Sequence, residues 1–166
     1  MSKKLLELKK WASENITLIN LLPTNTGLKV TTRLVDVLED EVDEKYYLSE
    51  EKTKKLTLDE DLGGKLNMYD YNERDKVHSI NKVSPTLNTM QGGDRQPKIA
   101  VREATKQGVR IRKLTPLECW RLQSFTDEQF YKAKESGVSN SQLYKQSGNA
   151  ITISVADAII KKITEG

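Results

Sequence analysis

The chain has 166 residues, of which 36% are apolar and 31% are charged, and its formal net charge is +3. This length suffices for one modest domain or for two small lobes that share a core. No apolar run reaches the roughly 18–20 residues of a membrane-spanning helix, and charged residues interrupt the apolar pattern of the N-terminus, unlike a signal peptide. The single cysteine, Cys119, excludes an internal disulfide, and with the single histidine, His78, it cannot complete a zinc site. We therefore expect a cytoplasmic protein without a metal site.

Charge is distributed unevenly along the chain. Residues 36–61 contain eleven acidic residues against four lysines, whereas residues 65–113 contain eleven basic residues against five acidic ones. The basic segment could neutralise the phosphates of a polyanion, which would repel the acidic segment. The alternative is that both segments form solvated faces on opposite sides of a small domain, and charge alone favours that ordinary arrangement.

The first part of the chain has short predicted helices. Helical spacing of apolar residues predicts an amphipathic helix over 3–14, and turn-forming residues at 21–27 predict a linker after it. Apolar residues between 34 and 38 predict another short helix. Ser49, followed by two glutamates, predicts the start of a helix that ends near Leu56.

The middle of the chain is predicted to contain loops and strands. Four glycines and two prolines between 61 and 98 indicate irregular loops with short strands. Apolar and charged residues alternate in "KIAVRE" (98–103) and "GVRIRKL" (108–114), which predicts two strands around a turn.

The last third is predicted to be helical. Thr115, Pro116 and Glu118 combine a capping residue, a first-turn proline and a capping-box glutamate, which mark a helix start. Capping residues, closing glycines and an apolar stripe predict three more helices: from Thr126 to Gly137, from Ser139 to Gly148, and over 152–163 with Ala156, Ile159, Ile160 and Ile163 on one face.

Three segments of the chain resemble motifs of the DNA cytosine-C5 methyltransferases, in family order. "RKLTPLECWRLQSF" (112–125) resembles the ninth motif, and "YKQSGNAITISVADAII" (144–160) resembles the tenth. Upstream, "SPTLNTMQGG" (84–93) resembles the part of the target recognition region that carries a threonine and a small aliphatic residue. "TRLVDVLEDEVDEKYYLS" (32–49) is similar to the opening of that region in bacterial and phage members.

The resemblance implies an α+β fold in three parts. It implies an N-terminal helix and linker at 1–30, a small mixed target recognition lobe of short strands and loops at 31–111, and the helices of the ninth and tenth motifs at 112–166. In the complete family this helical segment packs on the catalytic domain. The apolar stripe of the last helix therefore predicts either a complementing catalytic chain or self-association.

The resemblance also implies a chemistry that this sequence cannot perform alone. In the complete family, a flipped cytosine is attacked at C6 by a cysteine, a glutamate assists at N3, and C5 receives the methyl group of S-adenosylmethionine. The nucleophile of the family lies in a Pro-Cys-Gln motif, and these 166 residues contain no Pro-Cys pair. The glycine-rich cofactor loop and the arginine-rich eighth motif are missing too. We thus expect a C-terminal fragment or subunit of a transferase of restriction–modification type that is not catalytically self-sufficient; the alternative is a non-catalytic DNA-binding or protein-interaction module.

Cys119 and His78 are the two residues whose type alone could indicate catalysis. Cys119 lies in the ninth motif, which is a structural helix in the family, so we predict a core residue rather than a nucleophile. His78 lies in a predicted loop with no carboxylate partner fixed by spacing, so a surface residue is favoured over a general base. The prediction therefore assigns no catalytic residue.

The binding residues come from the motif matches. Thr86 and Leu87 match the family's pair near the DNA backbone beside the flipped base, and Lys82, Arg95 and Lys98 are basic neighbours predicted to contact double-stranded DNA. The tenth motif places Asn149 and Ala150 beside the S-adenosylmethionine pocket. The alternatives are an ordinary turn for Thr86, local capping for Asn149, and a helix-ending positive φ for Gly148. The sequence does not identify the bases that are read.

Overall fold

The computed structural model describes residues 3–15, 31–68, 72–90, 94–102 and 108–164. The chain divides into two compact units, one that contains the N-terminal helix and residues from Val155 onward, and one that runs from Lys29 to Ser154. The larger unit therefore includes both the predicted recognition lobe and most of the predicted C-terminal helices. No helix among the described residues is long and apolar enough to cross a membrane.

The described residues form an α+β fold, as predicted. The helices are α1 (Lys3–Asn15), α2 (Glu50–Thr53), α3 (Asn72–Asp75), α4 (Pro116–Leu122), α5 (Asp127–Glu135), α6 (Asn140–Asn149) and α7 (Ile153–Thr164). The strands are β1 (Thr57–Leu58), β2 (Gly64–Lys65), β3 (Lys76–His78), β4 (Lys98–Arg102) and β5 (Val109–Lys113).

The five strands form one sheet in the order of the sequence. All neighbouring pairs are antiparallel except β3 and β4, which run parallel, with Val77 opposite Lys98. The predicted pair of strands at 98–103 and 108–114 is confirmed as β4 and β5, while the predicted turn between them, like the predicted linker at 21–27, lies largely or wholly outside the described residues. Because β3 and β4 are parallel, the chain segments that precede them lie at the same end of the sheet.

The short helices before the sheet differ in detail from the prediction. The segment at 34–38 forms a 3₁₀ helix over Leu34–Val37, and a second 3₁₀ helix covers Glu44–Tyr46. Ser49 is the N-cap of α2, but its side chain makes no capping hydrogen bond, and the helix ends at Thr53 rather than near Leu56. A helix of four residues is not stable by itself, so it depends on the rest of the fold.

The helix starts of the last third are confirmed. The hydroxyl of Thr115 accepts a hydrogen bond from the Glu118 backbone N–H, and the Glu118 carboxylate accepts one from the Thr115 N–H, which completes the capping box of α4. Thr126 and Ser139 cap α5 and α6 with their side-chain hydroxyls as well. After α5, Gly137 adopts a φ of +91°, a conformation that favours glycine.

A buried ion pair joins the end of the sheet to α4. The guanidinium of Arg112 in β5 donates two hydrogen bonds of 2.7 and 2.8 Å to the Glu118 carboxylate. The same carboxylate accepts a bond of 3.0 Å from the backbone N–H of Glu39. Both side chains are almost fully buried, so each charge depends on the other for its stability.

The described residues of the larger unit form three apolar core clusters. One cluster combines sheet and helix residues around Leu34, Ile99, Leu114, Cys119 and Tyr144, one lies on the sheet around Leu66, Val77, Ala100 and Ile111, and one lies among the helices around Leu117, Trp120, Phe130 and Leu143. The first cluster includes residues from both sides of the predicted boundary at 111/112. The sheet and the helices therefore share a core.

Candidate functional site

The segment that carries Thr86 and Leu87 has no regular secondary structure and is anchored to the core. Leu87 is half-buried and packs against the cluster around Ile99, whereas Thr86 is exposed. The segment closes with a tight turn in which the Asn88 side chain accepts a 2.7 Å hydrogen bond from the backbone N–H of Met90, whose φ is +49°. This arrangement presents the threonine to solvent from a fixed backbone.

A pocket of about 550 Å³ lies beside Thr86 at the end of the sheet where β3 and β4 begin. Its walls come from α3, from β3, from the 85–89 segment and from the residues before β4. The lining residues are Glu73, Arg74, His78, Pro85, Thr86, Asn88, Thr89, Arg95 and Pro97. Two guanidinium groups, an imidazole and a threonine hydroxyl thus surround one opening.

Lys98 does not contact solvent, which corrects its prediction as a direct DNA contact. Its side chain is 1% exposed, and its ammonium group donates hydrogen bonds to the carbonyls of Arg74 and Asp94, at 2.9 and 2.8 Å, and to that of Gln96 at 3.5 Å. The alternation of apolar and charged residues in "KIAVRE" did not reveal that this lysine faces inward. Lys98 instead connects the segments on either side of the pocket.

Burial and neighbouring charges shift the pKa values of Lys98 and Asp94. Desolvation lowers the pKa of Lys98 to about 8, against the attraction of the Asp94 carboxylate, which raises it. Burial alone would raise the pKa of Asp94, but hydrogen bonds from Lys113 and Lys52 outweigh it and hold that pKa well below its usual range. The segment before β4 is therefore held by ion pairs of the Asp94 side chain and by hydrogen bonds from Lys98 to its backbone carbonyls.

The other basic residues predicted to bind DNA are accessible. Arg95 is exposed at the pocket. Lys82 is exposed and forms an ion pair of 3.2 Å with Asp61. That pair, together with those of Arg110 with Glu44 and of Lys52 with Asp94, joins the acidic segment 36–61 to the basic segment 65–113. The two segments therefore partly neutralise each other and do not lie on opposite faces.

His78 lies in β3 and not in a loop as predicted. It is half-buried and lines the pocket. Burial and the neighbouring charge of Lys76 lower the pKa of His78 below its ordinary value. The imidazole is therefore neutral at pH 7, with one nitrogen able to donate and the other able to accept a hydrogen bond.

A second, open groove brings the predicted DNA-binding and cofactor-binding segments together. Its volume is about 510 Å³, and it is lined by Ser84, Pro85, Thr86, Leu87, Leu122, Gln123, Gly148, Ala150, Ile151 and Thr152. Asn149 is exposed at the end of α6, between two of these lining residues. The two segments are about 60 residues apart in the sequence and form opposite walls of one groove.

Gly148 permits the close contact between these walls. A Cβ atom at Gly148 would lie 2.0 Å from the carbonyl oxygen of Asn88 and 2.8 Å from the Cα of Thr89. The residue does not have a positive φ, and α6 continues to Asn149, so the predicted helix-ending role is wrong. Glycine is required here because the backbone of the 84–90 segment crosses the helix at this point.

Cys119 is a core residue, as predicted. Its side chain is 0% exposed, and burial raises the pKa of its thiol well above the ordinary value. A thiol in this state is a poor nucleophile, because the reactive species is the thiolate. No cluster of histidine, cysteine and acidic residues suited to a metal ion occurs among the described residues.

Two features of the site were not predicted from the sequence. Arg74 was counted only as one charge of the basic segment, and its place at the pocket depends on the parallel pairing of β3 with β4. The steric role of Gly148 depends on a contact across about 60 residues. A long-range contact of either kind has no local sequence signal.

The family model for the C-5 cytosine-specific DNA methylases matches residues 4–165. The chain is 40% identical to the orphan methyltransferase M.SPBetaI of Bacillus phage SPbeta, over 81% of this chain and 42% of that protein. It is 28% identical to the type II methyltransferase M.Bsp6I of a Bacillus species, over 85% of this chain and 42% of that protein.

Solved structures with the same fold are also methyltransferases. The Dnmt2 methyltransferase of S. pombe superposes with a TM-score of 0.58 at 15% identity, over 84% of this chain and 44% of that one. The methyltransferase EhMeth of Entamoeba histolytica superposes with a TM-score of 0.59 at 13% identity, over 90% of this chain and 45% of that one. The chain thus spans less than half the length of these relatives.

Proposed function

Because the chain belongs to the family of C-5 cytosine-specific DNA methylases, we propose that it is the C-terminal part of a DNA (cytosine-5-)-methyltransferase. Residues 31–111 recognise the DNA target, and residues 112–166 complete the S-adenosylmethionine site. The catalytic portion is not among these 166 residues and is supplied by the same longer polypeptide or by a separate chain. The observation that carries this proposal is the groove in which the 84–87 segment faces the 148–152 segment.

The groove fits one part of S-adenosylmethionine. The lining residues that the structure describes are all uncharged, so they can pack against the apolar and neutral parts of the cofactor. Ala150 lines the groove directly, and the exposed Asn149 amide can donate to or accept from the cofactor at its edge. The remaining contacts to the cofactor come from the catalytic portion.

We propose that DNA contacts the wall of the groove that the 84–87 segment forms. The exposed hydroxyl of Thr86 can donate a hydrogen bond to a phosphate, and the packing of Leu87 in the core fixes its position. Arg95 and Lys82 are exposed and add positive charge on the same part of the chain. Lys98 is excluded from direct contact by its burial and supports this surface from below.

The catalytic portion is proposed to cover apolar side chains of α7. No residue of α7 is buried, and Val155, Ile160 and Ile163 are about half exposed. Complete burial of such a side chain contributes about 1.5–3 kcal/mol, so covering the exposed half of each contributes roughly half as much before the entropic costs of association. The occupant is the half of the methyltransferase that the relatives possess and these residues lack. Self-association through α7 is the alternative occupant.

Complementation of methyl transfer tests the proposal. The chain is purified alone and then mixed with a separately expressed N-terminal portion of the phage SPbeta relative, and transfer of labelled methyl groups from S-adenosylmethionine to duplex DNA is measured. We expect no transfer by either part alone and transfer by the mixture. Transfer by this chain alone contradicts the proposal, and so does a mixture that forms a complex but remains inactive, which favours a non-catalytic DNA-binding module.

Substitutions in α7 test the docking surface. Ile160→Asp together with Ile163→Asp should abolish complex formation and complementation, because two charges would be buried without partners. The matched control, Ile160→Leu, keeps the apolar surface and should retain both. Analytical ultracentrifugation of the chain alone distinguishes the alternative, since a stable homodimer that the double variant disrupts would assign the surface to a second copy.

A further inference from the structure

We infer that Arg74 and Arg95 read guanine bases next to the target cytosine, and that the pocket between them is the sequence-reading site of the chain. This inference rests on the proposed function, because it assumes that DNA is the ligand. It goes further in naming the residues that determine which bases are read and the class of base that they select.

The two arginines lie at one end of the sheet. Arg74 lies in α3, directly before β3, and Arg95 lies in the segment directly before β4. Because β3 and β4 are parallel, these two segments meet at that end, and both arginines line the same pocket. Thr86 lines this pocket and also lines the groove to which Ala150 belongs. A DNA strand that contacts Thr86 would therefore lie beside the pocket.

The backbone behind both arginines is held rigidly. The ammonium of Lys98 bonds the carbonyl of Arg74 itself and the carbonyls of Asp94 and Gln96, the two residues that flank Arg95. One buried cation thus fixes the two arginine-bearing segments relative to each other. A fixed backbone places both arginine side chains near one opening and leaves less of the chain to be ordered when DNA binds.

The polar groups of the pocket are complementary to a guanine edge. A guanidinium group has two parallel N–H donors that match O6 and N7 of guanine in the major groove, whereas adenine presents one donor and one acceptor there. His78, neutral at pH 7, adds one donor and one acceptor to the pocket wall. Glu73, the one carboxylate among the described residues of the lining, forms an ion pair with Lys76. The arginines are therefore the charged groups best suited to bind a base edge.

Selection from a random duplex library tests the inference. A library of duplexes with a randomised central stretch is bound by the purified chain, the retained DNA is sequenced, and the selected motif is compared with those of Arg74→Lys and Arg95→Lys. A lysine keeps the positive charge but loses the bidentate geometry. We expect each variant to bind DNA with an unchanged salt dependence and to lose preference for guanine at one position by about 5- to 150-fold, the range of one bidentate contact.

A matched control separates this effect from a general change of charge. Arg102→Lys makes the same replacement at an exposed position at the opposite end of β4, and it should select the wild-type motif. Identical motifs for the wild-type chain and for Arg74→Lys and Arg95→Lys overturn the assignment of the pocket while leaving the proposed function intact. A wild-type chain that enriches no motif contradicts the recognition role itself and the assignment with it.

Discussion

Two regions of the molecule use cationic side chains in opposite ways. Around the start of α4, Arg112 is 2% exposed and donates hydrogen bonds from both terminal nitrogens of its guanidinium to Glu118. At the pocket, Arg95 is exposed and Arg74 is only partly covered. All three belong to the basic segment 65–113, so the same residue type holds the fold together in one region and remains accessible to a ligand in the other.

Lys98 shows that position in the sequence does not decide whether a cationic side chain is buried or accessible. It lies within three residues of Arg95, yet it is buried like Arg112 and bonds backbone carbonyls. Buried cations in both regions order the chain, and the accessible cations depend on them for position. Substitutions at buried and at accessible positions test this difference, and the largest effect is expected at the buried ion pair.

Glu118→Gln should cost more stability than a substitution at any accessible charge. The substitution leaves the buried guanidinium of Arg112 uncompensated and turns amide hydrogens toward donors, at an expected loss of about 3–5 kcal/mol of unfolding free energy. Urea denaturation at pH 7 measures the change. Asp61→Asn serves as the control, because it breaks the exposed pair with Lys82, and it should cost less than about 1 kcal/mol. Equal effects of the two substitutions would remove the distinction between buried and accessible charges.

Gly148→Ala should destabilise the larger unit by about 1–3 kcal/mol, although alanine is the better helix former. The reason is the carbonyl of Asn88, which lies 2.0 Å from the position of the added methyl group. Gly108→Ala is the matched control, since a Cβ there meets nothing within 4 Å. Thermal unfolding of both variants measures the effect: a stabilised Gly148→Ala protein would mean that the 84–90 segment does not lie on α6.

Lys98 should make stability depend on pH in the alkaline range. Its pKa is about 8 in the folded chain against an ordinary value of 10.5, so the unfolded chain binds more protons between these values. Below pH 8 Lys98 is charged in both the folded and the unfolded chain, and the burial of its charge lowers the free energy of unfolding by the full amount. As the pH rises toward 10.5, Lys98 loses its proton in the folded chain and this loss of stability disappears. Between about pH 7 and 9.5 we expect the wild-type chain to gain about 1–3 kcal/mol relative to Lys98→Met.

Parallel urea titrations of the wild-type chain and of Lys98→Met at several pH values measure this gain, and the comparison cancels the contributions of other titrating groups. A free energy of unfolding that differs between the wild-type chain and Lys98→Met by the same amount at every pH would show that folding does not lower the pKa of Lys98. That result would contradict the prediction.

Cys119→Ala should have the smallest effect, about 1 kcal/mol of stability and no loss of methyl transfer in the complemented enzyme. The thiol is buried in the core, so a small apolar side chain preserves most of its contacts. Activity of the complemented enzyme, normalised to the folded fraction, is the measurement. A folded variant without activity would contradict this assignment and indicate a catalytic role for Cys119.

The helical region could be predicted closely from the sequence because its signals are local. A capping threonine, a proline and a glutamate within four positions define the start of α4, and the structure contains each predicted hydrogen bond. The starts of α5 and α6 follow from Thr126 and Ser139 for the same reason. A helix start depends on residues three or four positions apart, and a sequence displays those directly.

The pocket could not be predicted in this way because it depends on distant pairings. The parallel register of Val77 with Lys98 determines that Arg74 and Arg95 meet, and nothing near either arginine in the sequence indicates that register. The same register buries Lys98, which its charge alone placed among the DNA contacts. The motif resemblance singled out Thr86 and Ala150 separately, and the structure brings both to one groove, but the assignment of roles to them stays a prediction.

The measurement that tests the central claim most directly pairs this chain with two different catalytic portions. The N-terminal portions of the phage SPbeta relative and of the Bacillus type II relative are each combined with the chain, and the methylated cytosines on a mixed-sequence DNA are mapped by bisulfite sequencing. If residues 31–111 recognise the target, both combinations methylate the same sequence. Methylation sites that change with the catalytic portion, while this chain stays the same, would contradict that role.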